Sequence, residues 1–199
     1  MTALEITHSL TMGEIESLNE QLRPYADEIA DSTYTNRTNR TKLVKPMVSF
    51  DAQALALSFL PAVPKSGEVV EAAGYTYHHL RRDLFAKVSA TGLKVASRYA
   101  VPSAHLTIGR FITRKDFDNG DGGVDRQKME NLIATIEEIN EWLENEYWPK
   151  DSDRGPIKAG GDWMVGEEKG LELRKGDLWY GGGERVILGK GAERGVGDL

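Results

Sequence analysis

The order of strand-like and helix-like segments is the feature that most constrains this fold. Apolar residues recur with the two-residue period of a strand in some segments and with the helical period in others. Along the chain the predicted order is strand, helix, two strands, helix, strand, helix and then several short strands. This order lacks a long βαβ series. It therefore predicts the α+β class, with antiparallel sheets and flanking helices, and not a doubly wound sheet.

The predicted strands are short and are separated by turn residues. Both faces of the Ala54–Leu60 segment are apolar, which predicts a strand in the interior of its sheet. At the start of the chain, Leu4 and Ile6 share one strand face with Thr2. The full set of predicted strands is Met1–Thr7, Leu43–Phe50, Ala54–Leu60, Ser103–Ile112, Trp163–Val165, Gly170–Leu173, Leu178–Tyr180 and Arg185–Leu188.

Two of the three predicted helices begin at recognisable caps. Thr11 with Glu14 forms a capping-box pattern, and Pro24 is expected to kink or split the helix that follows. Thr76 caps the second helix, which is expected to stop at Gly92. Helical spacing places Arg81 and Arg82 outward on it and predicts a buried face of Tyr77, Leu80, Leu84, Phe85 and Val88.

The third helix is the longest and is predicted from Val124 to Trp148, where Pro149 stops it. Its apolar stripe comprises Met129, Leu132, Ile133, Ile136, Ile139, Trp142 and Leu143. Polar or glycine-rich composition predicts exposed loops at residues 31–42 and 114–123 and a flexible tail at 189–199. In the second loop Asp116 and Asp118 fit a calcium-binding pattern, but Gly120 and Gln127 stand where further ligands belong, which excludes calcium.

Length and composition restrict the function classes. The chain has 199 residues, which predicts a single domain, residues 1–199, with either one lobe or two. A net charge of −6 speaks against a broad nucleic-acid surface, so duplex DNA is not an expected partner and any RNA contact is local. Cysteine is absent, which removes disulfides and thiolate chemistry. Without a long apolar run or a signal-peptide pattern, we expect a cytoplasmic protein with no membrane partner, and we assume a monomer.

The sharpest chemical signal is the string His105-Leu-Thr-Ile-Gly-Arg-Phe111. Strand alternation places His105, Thr107 and Gly109 on one face. An imidazole about 7 Å from a hydroxyl on one strand suits proton transfer beside a donor to an anion. The same alternation turns Arg110 away, although a bend of the strand at Gly109 would redirect it towards an anion.

This string resembles the second signature of the two-histidine (2H) phosphoesterases, which include RNA 2′,5′-ligase-like proteins and cyclic nucleotide phosphodiesterases. More closely, the chain is similar to fungal proteins of this group. The similarity spans nearly the whole chain and includes the strings Ala54–Pro61, Tyr75–Phe85, Val101–Phe111, Trp163–Gly170 and Leu178–Gly183. The resemblance implies a bilobal α+β fold in which two H-x-T strands face each other across a central cleft.

In such enzymes one histidine is a general base, the other is a general acid, and the two hydroxyls hold the phosphate. The resemblance implies that no metal and no cofactor are needed. Here it makes His105 and Thr107 catalytic candidates and Thr2 a phosphate-binding candidate. Arg110 is a phosphate-binding candidate through the bend of the strand alone, and a surface or inter-lobe charge is its alternative role. Trp179 and Tyr180 are base-stacking candidates, although hairpin packing is the more common role of such a pair and is the favoured interpretation.

A second complete H-x-T is missing from this sequence. Met1–Ser9 resembles the first motif strand beginning after its histidine, with Thr2 as the motif threonine. We therefore expect a chain shortened at its N-terminus. His8 is a rival, but six residues along a strand place it roughly 20 Å from Thr2. His78 and His79 are expected on the solvent side of a helix.

Two other patterns carry no chemistry. Gly181-Gly182-Gly183 is expected to be a turn, because no Lys-Ser or Lys-Thr follows it as in a phosphate loop. Glu167 and Glu168 are expected to be exposed.

Two functions remain open from the sequence. The first is a metal-independent phosphoesterase acting on cyclic 2′,3′-phosphate or 2′,5′-linked nucleotide or RNA ends, impaired here by the missing histidine. The alternative is a non-catalytic module that binds a small nucleotide or an RNA end on the same residues.

Overall fold

The computed structural model of the chain describes residues 1–35, 41–62, 75–96, 104–150, 157–178 and 182–191. Helices and antiparallel strand pairs are both present, which confirms the α+β prediction. The chain packs as two compact units. Unit 1 comprises Met1–Thr2, Leu43–Leu60 and Ser103–Trp163, and unit 2 comprises Ala3–Lys42, Pro61–Pro102 and Met164–Leu199. In the described part of the chain, every helix is too short or too polar to cross a membrane.

The strands form two sheets. The larger sheet has the order β3-β2-β1-β4, and the smaller one pairs β5 with β6. β2 lies inside the larger sheet, as the two apolar faces of its sequence predict. The strands are β1 (Lys42–Phe50), β2 (Ala54–Pro61), β3 (Ala104–Arg110), β4 (Asp162–Met164), β5 (Glu172–Lys175) and β6 (Glu184–Leu188).

The helices are α1 (Met12–Leu22), α2 (Ala26–Ala30), α3 (Ser32–Thr35), α4 (Tyr77–Ala90) and α5 (Arg126–Tyr147), with 3₁₀ turns at Arg23–Tyr25 and Lys115–Phe117. The predicted capping box opens α1, because Thr11 Oγ1 accepts from the Glu14 N–H and Glu14 Oε2 accepts from the Thr11 N–H. Pro24 splits the helix, since its 3₁₀ turn separates α1 from α2.

Helix α4 begins after Thr76 and is followed by Gly92 with φ +86°, as predicted. Two details of the prediction are wrong. Phe85 is 49% exposed and does not belong to the buried face. His79 is half-buried and works as a cap, because its Nδ1 accepts from the Thr76 N–H at 3.1 Å. A histidine here replaces the Glu or Gln of the usual capping box.

The prediction of a strand at Met1–Thr7 is wrong, because residues 1–10 are described and contain no strand. From Ala3 onwards the segment is nevertheless anchored in unit 2. Arg81, predicted to point outward, donates from Nε to the Ala3 carbonyl at 3.0 Å, and the Ile6 carbonyl accepts from the Ala96 N–H at 2.8 Å. Leu4 and Ile6 pack against a core of Leu22, Val88 and Leu93. The alternation of the sequence therefore correctly predicted that Leu4 and Ile6 share the face that packs against this core. A strand also requires a ladder of backbone hydrogen bonds to a neighbouring strand, which alternation alone does not provide.

Helix α5 protects one edge of β1. The Asn140 side chain pairs with both backbone groups of Val48, accepting from its N–H at 2.7 Å and donating to its carbonyl at 2.9 Å. Two residues earlier, Trp148 Nε1 donates to the Pro46 carbonyl at 2.8 Å. These side chains take the place of a neighbouring strand at this edge.

Replacing Asn140 with alanine is expected to lower the free energy of unfolding by about 2 kcal/mol, because both backbone groups of Val48 lose their partner. Urea unfolding followed by circular dichroism measures the change. The control is Asn131→Ala, which removes an exposed amide from the same helix and is expected to change stability by less than about 0.5 kcal/mol. Equal effects of the two substitutions would contradict the role of Asn140.

The buried line of α5 is narrower than predicted. Ile136 and Leu143 are buried, and Asn140 lies between them at spacings of four and three. Three residues of the predicted stripe are instead exposed, namely Ile133, Ile139 and Trp142. The difference follows from packing along a strand edge through Asn140, which covers less of a helix than packing on a sheet face.

Several loop predictions differ from the structure. Within residues 31–42, Ser32–Thr35 is a short helix and β1 already starts at Lys42, while residues 36–40 lie outside the described part. Within residues 114–123, Asn119 Oδ1 accepts from the Asp121 and Gly123 N–H groups, which makes a tight turn.

The beginning of the expected tail at residues 189–199 is held in place. Gly189 is buried and exchanges backbone hydrogen bonds with Gly170 and Leu171, and the Lys190 N–H donates to Asp31 at 2.7 Å. Residues 192–199 lie outside the described part. Of the strand predicted at Leu178–Tyr180, Leu178 has no regular structure and the other two residues are not described.

Candidate functional site

Strand β3 carries a β-bulge in the middle of the H-x-T string. Thr107 pairs with Ala56 of β2, but the next pair joins Gly109 to Leu55. Ile108 is therefore an extra residue without a partner across the strand pair. A bulge shifts the alternation of all the side chains that follow it.

The bulge brings Arg110 onto the face of His105 and Thr107. Residues directly opposite each other in an antiparallel pair point to the same face. His105 lies opposite Ser58 and Arg110 lies opposite Ala54, and these two β2 residues are on one face because they are four apart. Simple alternation, which turned Arg110 away and kept Gly109 with His105, is wrong for both residues. Arg110 is redirected to the face of His105, as expected if the strand bends at Gly109. The cause is the extra residue Ile108 and not a bend at Gly109 itself.

The resulting face is polar and accessible. Thr107 is exposed, and His105 and Arg110 are partly buried. Directly across the strand pair from His105, the buried Ser58 hydroxyl lies 2.6 Å from the Ser49 hydroxyl of β1. This face therefore offers an imidazole, a hydroxyl and a guanidinium in a row along one strand, which is a set suited to a phosphate group.

A carboxylate lies at the end of this row. Asp51, in the turn between β1 and β2, accepts at Oδ1 from the N–H groups of Gln53 (2.7 Å) and Ala54 (2.8 Å). These bonds hold the pKa of the Asp51 carboxyl below its ordinary value, and the charges of Arg110 and His105 lower it further. Asp51 lies near the Arg110 end of the row, because Ala54, to which it is hydrogen-bonded, is directly opposite Arg110. The sequence could have indicated that Asp51 lies in a turn, because Asp commonly bonds the backbone there. Its proximity to Arg110 depends on the pairing of β2 with β3 and could not be predicted.

Thr2 belongs to the same compact unit as His105 and Thr107, whereas the chain from Ala3 belongs to unit 2. Thr2 is exposed. Of the four histidines in the sequence, His105 is the one within unit 1. His8 is exposed with Nδ1 at 3.1 Å from Ser9 Oγ, and His78 and His79 lie on α4, all in unit 2.

The remaining candidates do not join this face in the structure. Trp179 and Tyr180 lie outside the described residues. Gly183 has φ +82°, as a turn glycine does, while Glu167 is half-buried and Glu168 is exposed. Among the described residues, His, Asp and Glu side chains do not gather in any group of three or more that could hold a metal ion.

Comparison of the chain with protein-family models, with curated proteins and with solved structures gives no match. The chemistry of this site therefore has to be argued from its own residues.

Proposed function

We propose that this protein is a phosphoesterase of the two-histidine type, acting on cyclic 2′,3′-phosphate or 2′,5′-linked nucleotide or RNA ends. The proposal includes the bilobal fold of that family and a cytoplasmic, metal-independent activity. One observation carries it: the bulge at Ile108 gathers His105, Thr107 and Arg110 on one accessible face.

Each residue has a distinct role in this proposal. His105 transfers the proton, because imidazole can gain or lose one near neutral pH. Thr107 and Thr2 donate hydroxyl hydrogen bonds to the phosphate oxygens. Arg110 supplies a permanent positive charge with planar donors, which suits a phosphate. The grouping of Thr2 with unit 1 supports a common site.

A binding module without turnover is the second candidate. The two-histidine mechanism needs an acid and a base at one phosphate, and unit 1 contains a single histidine. The same face would then hold a small nucleotide or an RNA end through Thr107 and Arg110.

Incubation with adenosine 2′,3′-cyclic phosphate in EDTA separates the two candidates. Product formation that depends on Thr107, tested with Thr107→Val, supports the phosphoesterase. Saturable binding without product supports the module. The absence of both product and binding would contradict both candidates.

A second arm of the experiment supplies a second imidazole next to Thr2. One histidine added before Met1 gives His-Met1-Thr2, which reads H-x-T as His105–Thr107 does. We expect this extension to raise turnover, with an added alanine as its matched control. Equal rates for the two extended chains would contradict the assignment of Thr2 to the site.

A further inference from the structure

Given the phosphate site of the proposed function, we propose that the Asp51 carboxylate makes this face selective for phosphodiesters, with one negative charge, against phosphomonoesters, with two. The site would therefore hold its substrate more tightly than its hydrolysed product.

The position of Asp51 follows from backbone geometry. Its Oδ1 lies 2.8 Å from the Ala54 nitrogen, and Ala54 is the residue directly opposite Arg110 in the β2–β3 pair. The end of β3 is tied to the same turn, because the Phe111 N–H donates to the Gln53 carbonyl at 2.9 Å. The carboxylate is thus held beside the Arg110 end of the row.

The charges at this end decide which phosphate fits. Arg110 contributes one positive charge at this end, and Asp51 contributes one negative charge beside it. A phosphodiester brings one negative charge to this end, whereas a phosphomonoester above its second pKa of about 6 brings nearly two and is repelled more strongly by the Asp51 carboxylate. Repulsion between the Asp51 carboxylate and one additional phosphate charge on the same face changes the dissociation constant by about threefold to tenfold at low ionic strength.

Asp51→Asn is a clean test, because the amide oxygen can accept the same two turn hydrogen bonds while the charge is lost. The probes are 2′-O-methyluridine 3′-monophosphate and the methyl ester of that phosphate, which differ by one charge and resist cyclisation. Calorimetric titration at pH 7.5 and low salt gives the ratio of their dissociation constants. We expect preference for the diester in the native chain, reduced about threefold to tenfold in Asp51→Asn.

Glu138→Gln is the matched control. Glu138 is an exposed carboxylate of the same unit, on a turn of α5 away from the buried line, and its substitution changes the net charge by the same amount. It is expected to leave the ratio unchanged. If both probes bind and Asp51→Asn does not change the ratio either, Asp51 has no role in selection, while the phosphate site itself stands. If neither probe binds the native chain, both the phosphate site and the selectivity fail.

A ligand-free measurement tests the coupling by itself. Arg110→Gln is expected to raise the pKa of the Asp51 carboxyl in a carbon-13 NMR titration, since it removes a neighbouring positive charge. Arg126→Gln, on the exposed face of α5, is expected to leave that pKa unchanged. An unchanged pKa in Arg110→Gln would overturn the placement of the Asp51 carboxylate beside Arg110, on which the proposed selectivity depends.

Discussion

Replacing His105 with alanine is expected to reduce hydrolysis of a 2′,3′-cyclic nucleotide by about 10²–10⁴-fold, the usual contribution of one general acid–base group. His105 is the one imidazole of unit 1, so no other histidine of that unit can take over its proton transfer. The loss is expected in kcat more than in KM, because Thr107 and Arg110 still hold the phosphate.

Initial rates in EDTA measure this effect, both for the native chain and for the chain with a histidine added before Met1. His78→Ala is the matched control, because it removes an exposed imidazole from α4 in unit 2. It is expected to leave the rate unchanged. Turnover that is the same in His105→Ala and in the parent chain would rule out His105 as the proton-transfer group.

The largest expected effect on stability comes from Gly189→Ala, which should lower the free energy of unfolding by about 3 kcal/mol. Gly189 is buried, its N–H donates to the Leu171 carbonyl at 2.9 Å, and its own carbonyl accepts from Gly170 at 2.9 Å. A Cβ at this position would overlap the Ala30 carbonyl, which itself accepts from the Leu171 N–H at 3.1 Å. The nearest atoms to this Cβ all belong to Ala30, whose carbonyl cannot move aside without losing its hydrogen bond to Leu171.

Urea unfolding is the measurement, and Gly13→Ala is its control. Gly13 lies in the first turn of α1 with no atom within 4 Å of the position of a Cβ. Alanine there is expected to stabilise the protein by about 0.5–1 kcal/mol through helix propensity and a less flexible unfolded chain. A native-like midpoint for Gly189→Ala would show that this end of the chain is not packed as described.

Most element types were predictable because local signals and burial agree. Thr11, Pro24 and Gly92 act at the predicted positions, since capping, ring constraint and left-handed backbone are properties of a few neighbouring residues. The strand predicted at Met1–Thr7 is absent, and local signals could not have shown this. Its apolar pattern correctly placed Leu4 and Ile6 against the core, but hydrogen bonding depends on a partner elsewhere in the chain.

In the candidate site too, local features could be predicted and features set by strand pairing could not. The H-x-T string and its shared face could be predicted, because alternation over two residues is local. The side of Arg110 could not, because an unpaired Ile108 reverses the alternation only once β3 is aligned with β2. Asp51 was missed for the same reason, since it approaches Arg110 through the turn between β1 and β2.

The sequence by itself determined the class of the fold, the helix caps, and the imidazole and hydroxyl that β3 presents together. These depend on periodicity and on contacts between near neighbours along the chain. Only the tertiary structure decided which further charges reach that face, since strand register joins residues more than fifty positions apart. It put Arg110 on the face of His105 and held Asp51 at Ala54, the residue opposite Arg110, and these are the two charges on which the proposed selectivity depends.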